Sequence, residues 1–191
     1  MRIGLFFGSF NPIHQGHLII GQFLLNQTDL SEIWFIVSPQ NPLKSGSDLF
    51  DERDRLEMVK MAIVDQPLFK ASDIELKMPK PSYTFNTLKK LTIEFPEHEF
   101  VIIMGSDNLL HFDKWKGHEE ILLEYEMFVY NREGNPGGDF AKNQRVRVFK
   151  GPLLNISSTL VRSFLRMKKS IKYMVPKEVE AYLENLSEPV R

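Results

Sequence analysis

Residues 3–17 read IGLFFGSFNPIHQGH, an apolar run followed by a polar segment that contains two glycines and two histidines. The apolar run from Ile3 to Phe7 is typical of a strand that is buried on both faces, as strands are in a parallel sheet. Gly8 ends the run, and the nearly uncharged segment 16–25 that follows predicts a largely buried helix. A buried strand that leads directly into a helix is how a chain of alternating strands and helices begins.

The alternation continues to the end of the chain. Further apolar runs predict strands, and apolar residues at helical spacing predict helices. Extended segments are predicted at 33–37, 69–76, 100–104, 127–130 and 146–149, and helices at 52–64, 84–95, 158–167 and 176–186. Pro176 is expected at the first position of the last helix. This order predicts an α/β fold over residues 1–191 as a single domain, with a Rossmann-like doubly wound parallel sheet, helices on both faces and a small C-terminal helical extension.

The composition limits the kinds of function that the chain can have. It has 191 residues, 24 basic and 25 acidic side chains, a formal net charge of −1 and no cysteine. A nearly neutral chain has no overall field that recruits nucleic acid or an anionic membrane, so any phosphate binding must be local. The lack of cysteine excludes a disulfide scaffold, a thiolate metal site and a cysteine nucleophile. No signal peptide and no apolar run near the ~20 residues of a membrane span are found, so we expect a cytoplasmic protein.

Polar segments follow three of the predicted strands directly, at 8–11, 38–41 and 105–108. The carboxyl ends of parallel strands share one edge of the sheet, where ligands bind, so we expect these segments to converge. Over residues 8–17, two glycines next to a helix start suit a cradle for phosphate, and His14 and His17 can both donate to phosphate oxygens. The same residues also fit a tight turn with two incidental histidines or, more weakly, a zinc site that lacks a third ligand.

A fourth polar segment, near the other end of the chain, reads NISSTLVR over residues 155–162. Hydroxyl side chains at a helix start can donate to an anion, and an arginine one turn later can reach the same anion with its planar fork. The hydroxyl residues are Ser157, Ser158 and Thr159, and the arginine is Arg162. An ordinary N-cap followed by a surface arginine would give the same pattern.

Together, G-x-F-x-P-x-H-x-G-H at 8–17 and S-S-T-x-x-R at 157–162 resemble the two signatures of the nucleotidyltransferase superfamily that carries the HxGH motif. Four further segments are similar to one branch, the bacterial nicotinate-nucleotide adenylyltransferases. They read NPLK at 41–44, SYTFNTL at 82–88, GSDNL at 105–109 and FDKW at 112–115. The resemblance therefore covers the chain nearly end to end.

This resemblance implies an adenylyltransferase of NAD biosynthesis that transfers AMP from ATP to nicotinate mononucleotide, giving nicotinate adenine dinucleotide and pyrophosphate. It implies that His14, His17 and Arg162 are catalytic. The implied ATP-binding residues are Gly8, Ser9, Phe10, His14, His17, Gly105, Asp107, Ser157, Ser158, Thr159 and Arg162. Lys44, Thr84 and Trp115 would bind the mononucleotide, Thr84 at the pyridine carboxylate and Trp115 on the ring. We expect Mg²⁺ to be held mainly by ATP phosphates and water, with no metal ligand from the protein and no nucleic acid or membrane partner.

Several alternatives remain open at the level of sequence. Trp115 also fits a core position, Asp107 a helix cap and Lys44 a solvated loop charge, and Arg132 has a family counterpart without an assigned role. The substrate could instead be nicotinamide mononucleotide, which differs by one charge, or phosphopantetheine, whose enzymes are shorter and lack the segments at 82–88 and 112–115. A non-catalytic module that senses a nucleotide is a different class of function, and the presence of both histidines and Arg162 argues against it.

Overall fold

The computed structural model describes residues 1–39, 49–131, 137–152 and 154–186. Strands and helices alternate through these residues, as predicted. The strands are β1 (Arg2–Gly8), β2 (Glu32–Val37), β3 (Phe69–Ser72), β4 (Glu99–Gly105), β5 (Glu126–Tyr130) and β6 (Val146–Phe149). The helices are α1 (Gln15–Gln27), α2 (Glu52–Ala62), α3 (Thr84–Glu94), α4 (Ser106–Leu109), α5 (His118–Glu124), α6 (Ser158–Arg166) and α7 (Lys177–Asn185).

All six strands form one parallel sheet in the order β3-β2-β1-β4-β5-β6. This is the doubly wound, Rossmann-like order that the sequence predicts. The chain turns from one half of the sheet to the other between β1 and β4, which are neighbours. A crevice forms at such a reversal, because the loops that leave the two strands run in opposite directions.

Each face of the sheet has its own apolar core. Side chains alternate along β1, so that Phe6 packs into one core and Leu5 into the other. Buried residues of α1, α2, α6 and α7 belong to the first core, and those of α3, α4 and α5 to the second. The prediction of helices on both faces is therefore confirmed, whereas the single-domain interpretation stays a prediction.

Three local features differ from the sequence-based expectations. The segment 69–76 is extended only as far as Ser72 and continues as a 3-10 turn over Ile74–Lys77. Pro176 is the N-cap of α7 and not its first residue. Helix α5 was not predicted, because it is only seven residues long and follows a glycine, Gly117, with a φ of 69°. No helix in the described ranges is long and apolar enough to cross a membrane.

Candidate active site

The loop after β1 is shaped by a close contact between a glycine and an aromatic ring. Phe10 is buried and has a φ of 43°, a conformation that bulky residues rarely adopt. Its ring lies against Gly8, where an added Cβ would meet the ring at 2.8 Å. Gly8 is therefore needed for this packing, which fixes the path of the chain between β1 and α1.

The two histidines that follow form one stacked pair at the start of α1. Their ring centroids are 3.8 Å apart, and His14 is buried whereas His17 is half-buried. The backbone N–H of His14 donates to Nδ1 of His17 over 3.2 Å. Because Nδ1 accepts this hydrogen, the neutral ring of His17 carries its own hydrogen on Nε2, which makes Nε2 a donor. The ring of Phe10 contacts His17 edge-on at 5.0 Å and restricts its orientation.

Gly16 lies between the two histidines and permits their stacking. A Cβ at this position would come within 2.9 Å of Nδ1 of His14. The histidine spacing and the glycine therefore act together, since any larger residue at 16 would displace the ring of His14.

The start of α6 packs directly on this loop. Oγ of Ser158 donates to the carbonyl oxygen of Pro12 over 3.0 Å, and Nη1 of Arg162 donates to that of Asn11 over 2.7 Å. Two segments separated by 146 residues or more thus meet at one place. Ser157 is the N-cap, with an Oγ that accepts from the backbone N–H of Leu160 over 3.2 Å. Thr159, in the first turn, is exposed.

A cavity of about 370 Å³ lies at the carboxyl ends of β1, β2 and β4 and against the start of α3. Its polar and apolar lining residues come from all of these elements, from the 3-10 turn Ile74–Lys77, and from α4 and the segment after it. They are Phe7, Gly8, Ser9, Ser38, Glu75, Ser82, Tyr83, Thr84, Ile103, Met104, Asn108, Lys114, Trp115 and Lys116. Four of the predicted site residues are in this set, namely Gly8, Ser9, Thr84 and Trp115.

The two residues predicted to bind the pyridine end lie on separate segments, α3 and the stretch after α4, and line the same cavity. Thr84 is the first residue of α3, and Tyr83, its N-cap, makes no side-chain cap. Trp115 is half-buried and packs on Phe112, with ring centroids 5.5 Å apart. The structure thus combines the two expectations for Trp115, because one part of the ring packs on the core and the residue also lines the cavity.

The other predicted residues either do not line the cavity or lie outside the described residues. Gly105 ends β4 and precedes α4, and Asp107 is in the first turn of α4, at the same edge of the sheet as the histidines. Neither lines the cavity, and neither do the histidines or the residues of α6. Lys44 and Arg132 lie outside the described residues.

A buried arginine that sequence reasoning missed joins the loops of this site. Arg55 of α2 is 1% exposed, and its guanidinium donates to four backbone carbonyl oxygens at 2.6–3.0 Å. These belong to Ser9 after β1, Ser38 and Pro39 after β2, and Phe50 before α2. Burial away from water lowers the pKa of Arg55. Because Arg55 lies in the charged run DERDR, the sequence signals only a solvated helix start.

Glu75 is a second residue that sequence reasoning missed. It is on the 3-10 turn after β3, is 2% exposed and lines the cavity. Its two carboxylate oxygens accept hydrogen bonds from the hydroxyls of Ser82 and Thr87, each over 2.8 Å. An acidic residue alternating with apolar ones in the segment DIELK gave no signal that it would be buried.

No group of three or more His, Cys, Asp or Glu side chains that could hold a metal ion occurs in the described part of the chain. The donor groups gathered at this edge are instead N–H and O–H groups, which suit anionic oxygens.

Comparison with known proteins gives the family. The chain is 51% identical over 180 residues to the probable nicotinate-nucleotide adenylyltransferase of Cytophaga hutchinsonii, covering 94% of each chain. It is 44% identical over 187 residues to that of Flavobacterium psychrophilum, covering 97% of each. The chain belongs to the nicotinate-nucleotide adenylyltransferases. A sequence model of the wider family described as Cytidylyltransferase-like matches residues 5–164 of this enzyme.

A solved structure supports the fold of this adenylyltransferase. It is that of Plasmodium falciparum nicotinic acid mononucleotide adenylyltransferase complexed with NaAD, with a TM-score of 0.81. The likeness covers 96% of this chain and 94% of that one at 22% identity. The fold class predicted from the sequence is thereby confirmed.

Proposed function

We propose that this adenylyltransferase transfers AMP from ATP to the 5′-phosphate of nicotinate mononucleotide, giving nicotinate adenine dinucleotide and pyrophosphate. The observation that carries the proposal is the contact between the two helix starts, in which Ser158 and Arg162 of α6 bind the backbone of the loop that leads into α1. Two sets of groups that can donate to phosphate thereby lie side by side. They lie next to a cavity that is lined by the ring of Trp115 and by the start of α3.

The chemistry is a direct displacement at the α-phosphorus of ATP. An oxygen of the mononucleotide phosphate forms a bond to this phosphorus, the bond to the oxygen that leads to the β-phosphorus breaks, and its electron pair leaves with pyrophosphate. The nucleophile is already an anion at neutral pH, so no general base is required. Catalysis then consists of positioning the two substrates and stabilising charge on the phosphate oxygens.

The roles at the phosphates follow from the donors that each element offers. His17 donates from Nε2, because its Nδ1 is occupied by the backbone N–H of His14. We assign His14 and His17 to the phosphate oxygens that gain charge during the displacement. Ser157, Ser158, Thr159 and Arg162 would hold the departing pyrophosphate at the start of α6. Gly8, Ser9 and Phe10 would form the cradle, and Gly105 and Asp107 would bind the ATP ribose.

The cavity would hold the pyridine end of the mononucleotide. Trp115 offers a flat face to the electron-poor ring. Thr84 begins α3, whose partial positive charge suits a small carboxylate. The cations of Lys114 and Lys116 line the same cavity and favour an anionic substituent over a neutral amide. Lys44, outside the described residues, stays a prediction for the mononucleotide phosphate.

We infer that Mg²⁺ enters with ATP. Phosphate oxygens and water would hold the ion, because Mg²⁺ usually keeps several waters and binds substrate phosphates. An excess of EDTA should stop dinucleotide synthesis, and added MgCl₂ should restore it. Retention of full activity in EDTA would contradict this inference. A cytoplasmic location also stays a prediction.

Pyrophosphate release tests the proposal. The purified full chain is mixed with ATP alone, with ATP and nicotinate mononucleotide, and with ATP and nicotinamide mononucleotide at equal concentration. We expect release only with an acceptor, and a higher kcat/KM for the nicotinate form. Equal or greater use of the nicotinamide form would overturn the substrate assignment. Binding of ATP with no release in any mixture would instead indicate a nucleotide-sensing module.

A further inference from the structure

We propose that Glu75 is a positioning residue that fixes the start of α3 and thereby sets the affinity for the pyridine end of the mononucleotide. This inference rests on the proposed function. It concerns a residue that binds the side chains of Ser82, in the cavity wall, and of Thr87, behind it, and that has no part in the displacement itself.

The burial of Glu75 calls for a structural reason. A carboxylate removed from water is costly unless it accepts hydrogen bonds from several donors. Glu75 is 2% exposed, and its two oxygens are held by Ser82 and Thr87, which are themselves 6% and 0% exposed. The carboxylate of Glu75 thus holds both hydroxyl side chains in one buried cluster.

The two donors lie on either side of the residues that begin α3. Ser82 precedes the N-cap Tyr83, and Thr87 is in the first turn of the helix. Between them lie Tyr83 and Thr84, both of which line the cavity. Glu75 binds both donors and so links the residue before the N-cap to the first turn of the helix. This fixes the position and direction of the helix start at the cavity.

Glu75 itself is anchored on another element. It belongs to the 3-10 turn Ile74–Lys77 that follows β3, and the neighbouring Ile74 is buried in the core on that face of the sheet. Glu75 therefore connects the start of α3 to the sheet and fixes its position. Among the described residues that line the cavity, Glu75 is also the only carboxylate.

A positioning role at this end of the cavity predicts a selective effect on one substrate. Loss of Glu75 leaves the phosphate donors at α1 and α6 in place, so kcat and the KM for ATP should hardly change. The KM for nicotinate mononucleotide should rise, because the helix start no longer has one fixed position. A merely structural role would lower stability without separating the two KM values.

The test is steady-state kinetics of the full chain with Glu75→Ala, Glu75→Gln and Ser82→Ala. We expect Glu75→Ala to raise the KM for nicotinate mononucleotide about tenfold, with kcat and the KM for ATP within about threefold of wild type. Glu75→Gln keeps an oxygen that can accept from a hydroxyl, so it should recover most of the loss. Ser82→Ala removes one donor and should raise the same KM by a smaller factor, which keeps the test available if Glu75→Ala does not fold.

Thr92→Val is the matched control. Thr92 is on the same helix, and its hydroxyl shares a hydrogen bond of 3.0 Å with the hydroxyl of Tyr125, away from the cavity. This variant should lose stability without a change in either KM. The proposal is overturned if Glu75→Ala and Ser82→Ala leave the KM for nicotinate mononucleotide within about twofold of wild type, or raise both KM values equally. If wild type itself makes no dinucleotide, the proposed function fails, which is a separate outcome.

Discussion

Single residues at the start of α1 set the geometry of the donors. The ring of His17 is held by one hydrogen bond at Nδ1 and by edge-on contact with Phe10, so its Nε2 has a fixed direction. The ring of His14 is held by stacking and by the small size of Gly16. Gly16 and Phe10 are therefore needed in the motif as well as the two histidines, because they fix where the imidazole rings lie.

Gly16→Ala separates stability from catalysis. Alanine in a helix is more stable than glycine by roughly 0.5–1 kcal/mol, so the melting temperature should not fall by much. The new Cβ would come within 2.9 Å of Nδ1 of His14 and displace its ring, so kcat should fall about tenfold or more.

Gln15→Ala, on the same turn, is the control for Gly16→Ala. Thermal unfolding and initial rates of dinucleotide synthesis measure the two effects. Unchanged kcat in Gly16→Ala would show that the stacking of the histidines is not needed.

At the scale of elements, the sequence predicts what each segment is and says little about which segments touch. All six strands overlap segments that were predicted to be extended, and β6 was predicted with its observed bounds. The site residues of α1 and α6 came from motifs. The roles of Arg55 and Glu75 were missed, because each depends on carbonyl or hydroxyl partners in other segments that only the folded chain brings within reach.

Arg55→Lys tests the junction between the loops after β1 and β2. Lysine has one ammonium group and cannot reach four carbonyl oxygens that the planar guanidinium spans. We expect a loss of about 2 kcal/mol in the free energy of unfolding, measured with urea. Arg53→Lys, on the same helix but exposed, should change it by no more than about 0.5 kcal/mol. Equal stability of the two variants would contradict the role of Arg55 in holding the two loops together.

The packing of α7 on α2 has its own pH dependence. The hydroxyl of Tyr182 donates to Oδ1 of Asp54 over 2.7 Å, and this hydrogen bond raises the pKa of Tyr182 from 10.0 to about 12. A raised pKa in the folded state means that the neutral hydroxyl adds stability below about pH 10 and that this stability is lost as the pH rises through about 12.

Tyr182→Phe should therefore be less stable than wild type at about pH 8, by about 1 kcal/mol, and the difference should shrink as the pH approaches 12. Urea unfolding at several pH values measures the difference. Tyr173→Phe, at a position that is 81% exposed, is the control and should have no effect at any pH. A difference between Tyr182→Phe and wild type that is constant with pH would contradict the assigned hydrogen bond.

At the scale of the whole molecule, the fold explains how a nearly neutral chain can bind two anionic substrates. The net charge is −1, so no overall field attracts phosphates. The parallel sheet instead brings the loops after β1, β2 and β4 to one edge, and α6 returns to the same edge from the end of the chain. Local N–H and O–H donors at this edge can then bind phosphate without a net positive charge on the protein.

The role of His17 at the phosphates is tested by the rates of nicotinate adenine dinucleotide formation by wild type and His17→Ala, measured together with their melting temperatures. His17 is half-buried at the surface of the loop, so its removal should leave the melting temperature nearly unchanged. Loss of one donor to the charge that develops at phosphate should slow the reaction by about 10²-fold or more. A His17→Ala rate within a few fold of wild type would show that His17 does not stabilise the charge at phosphate.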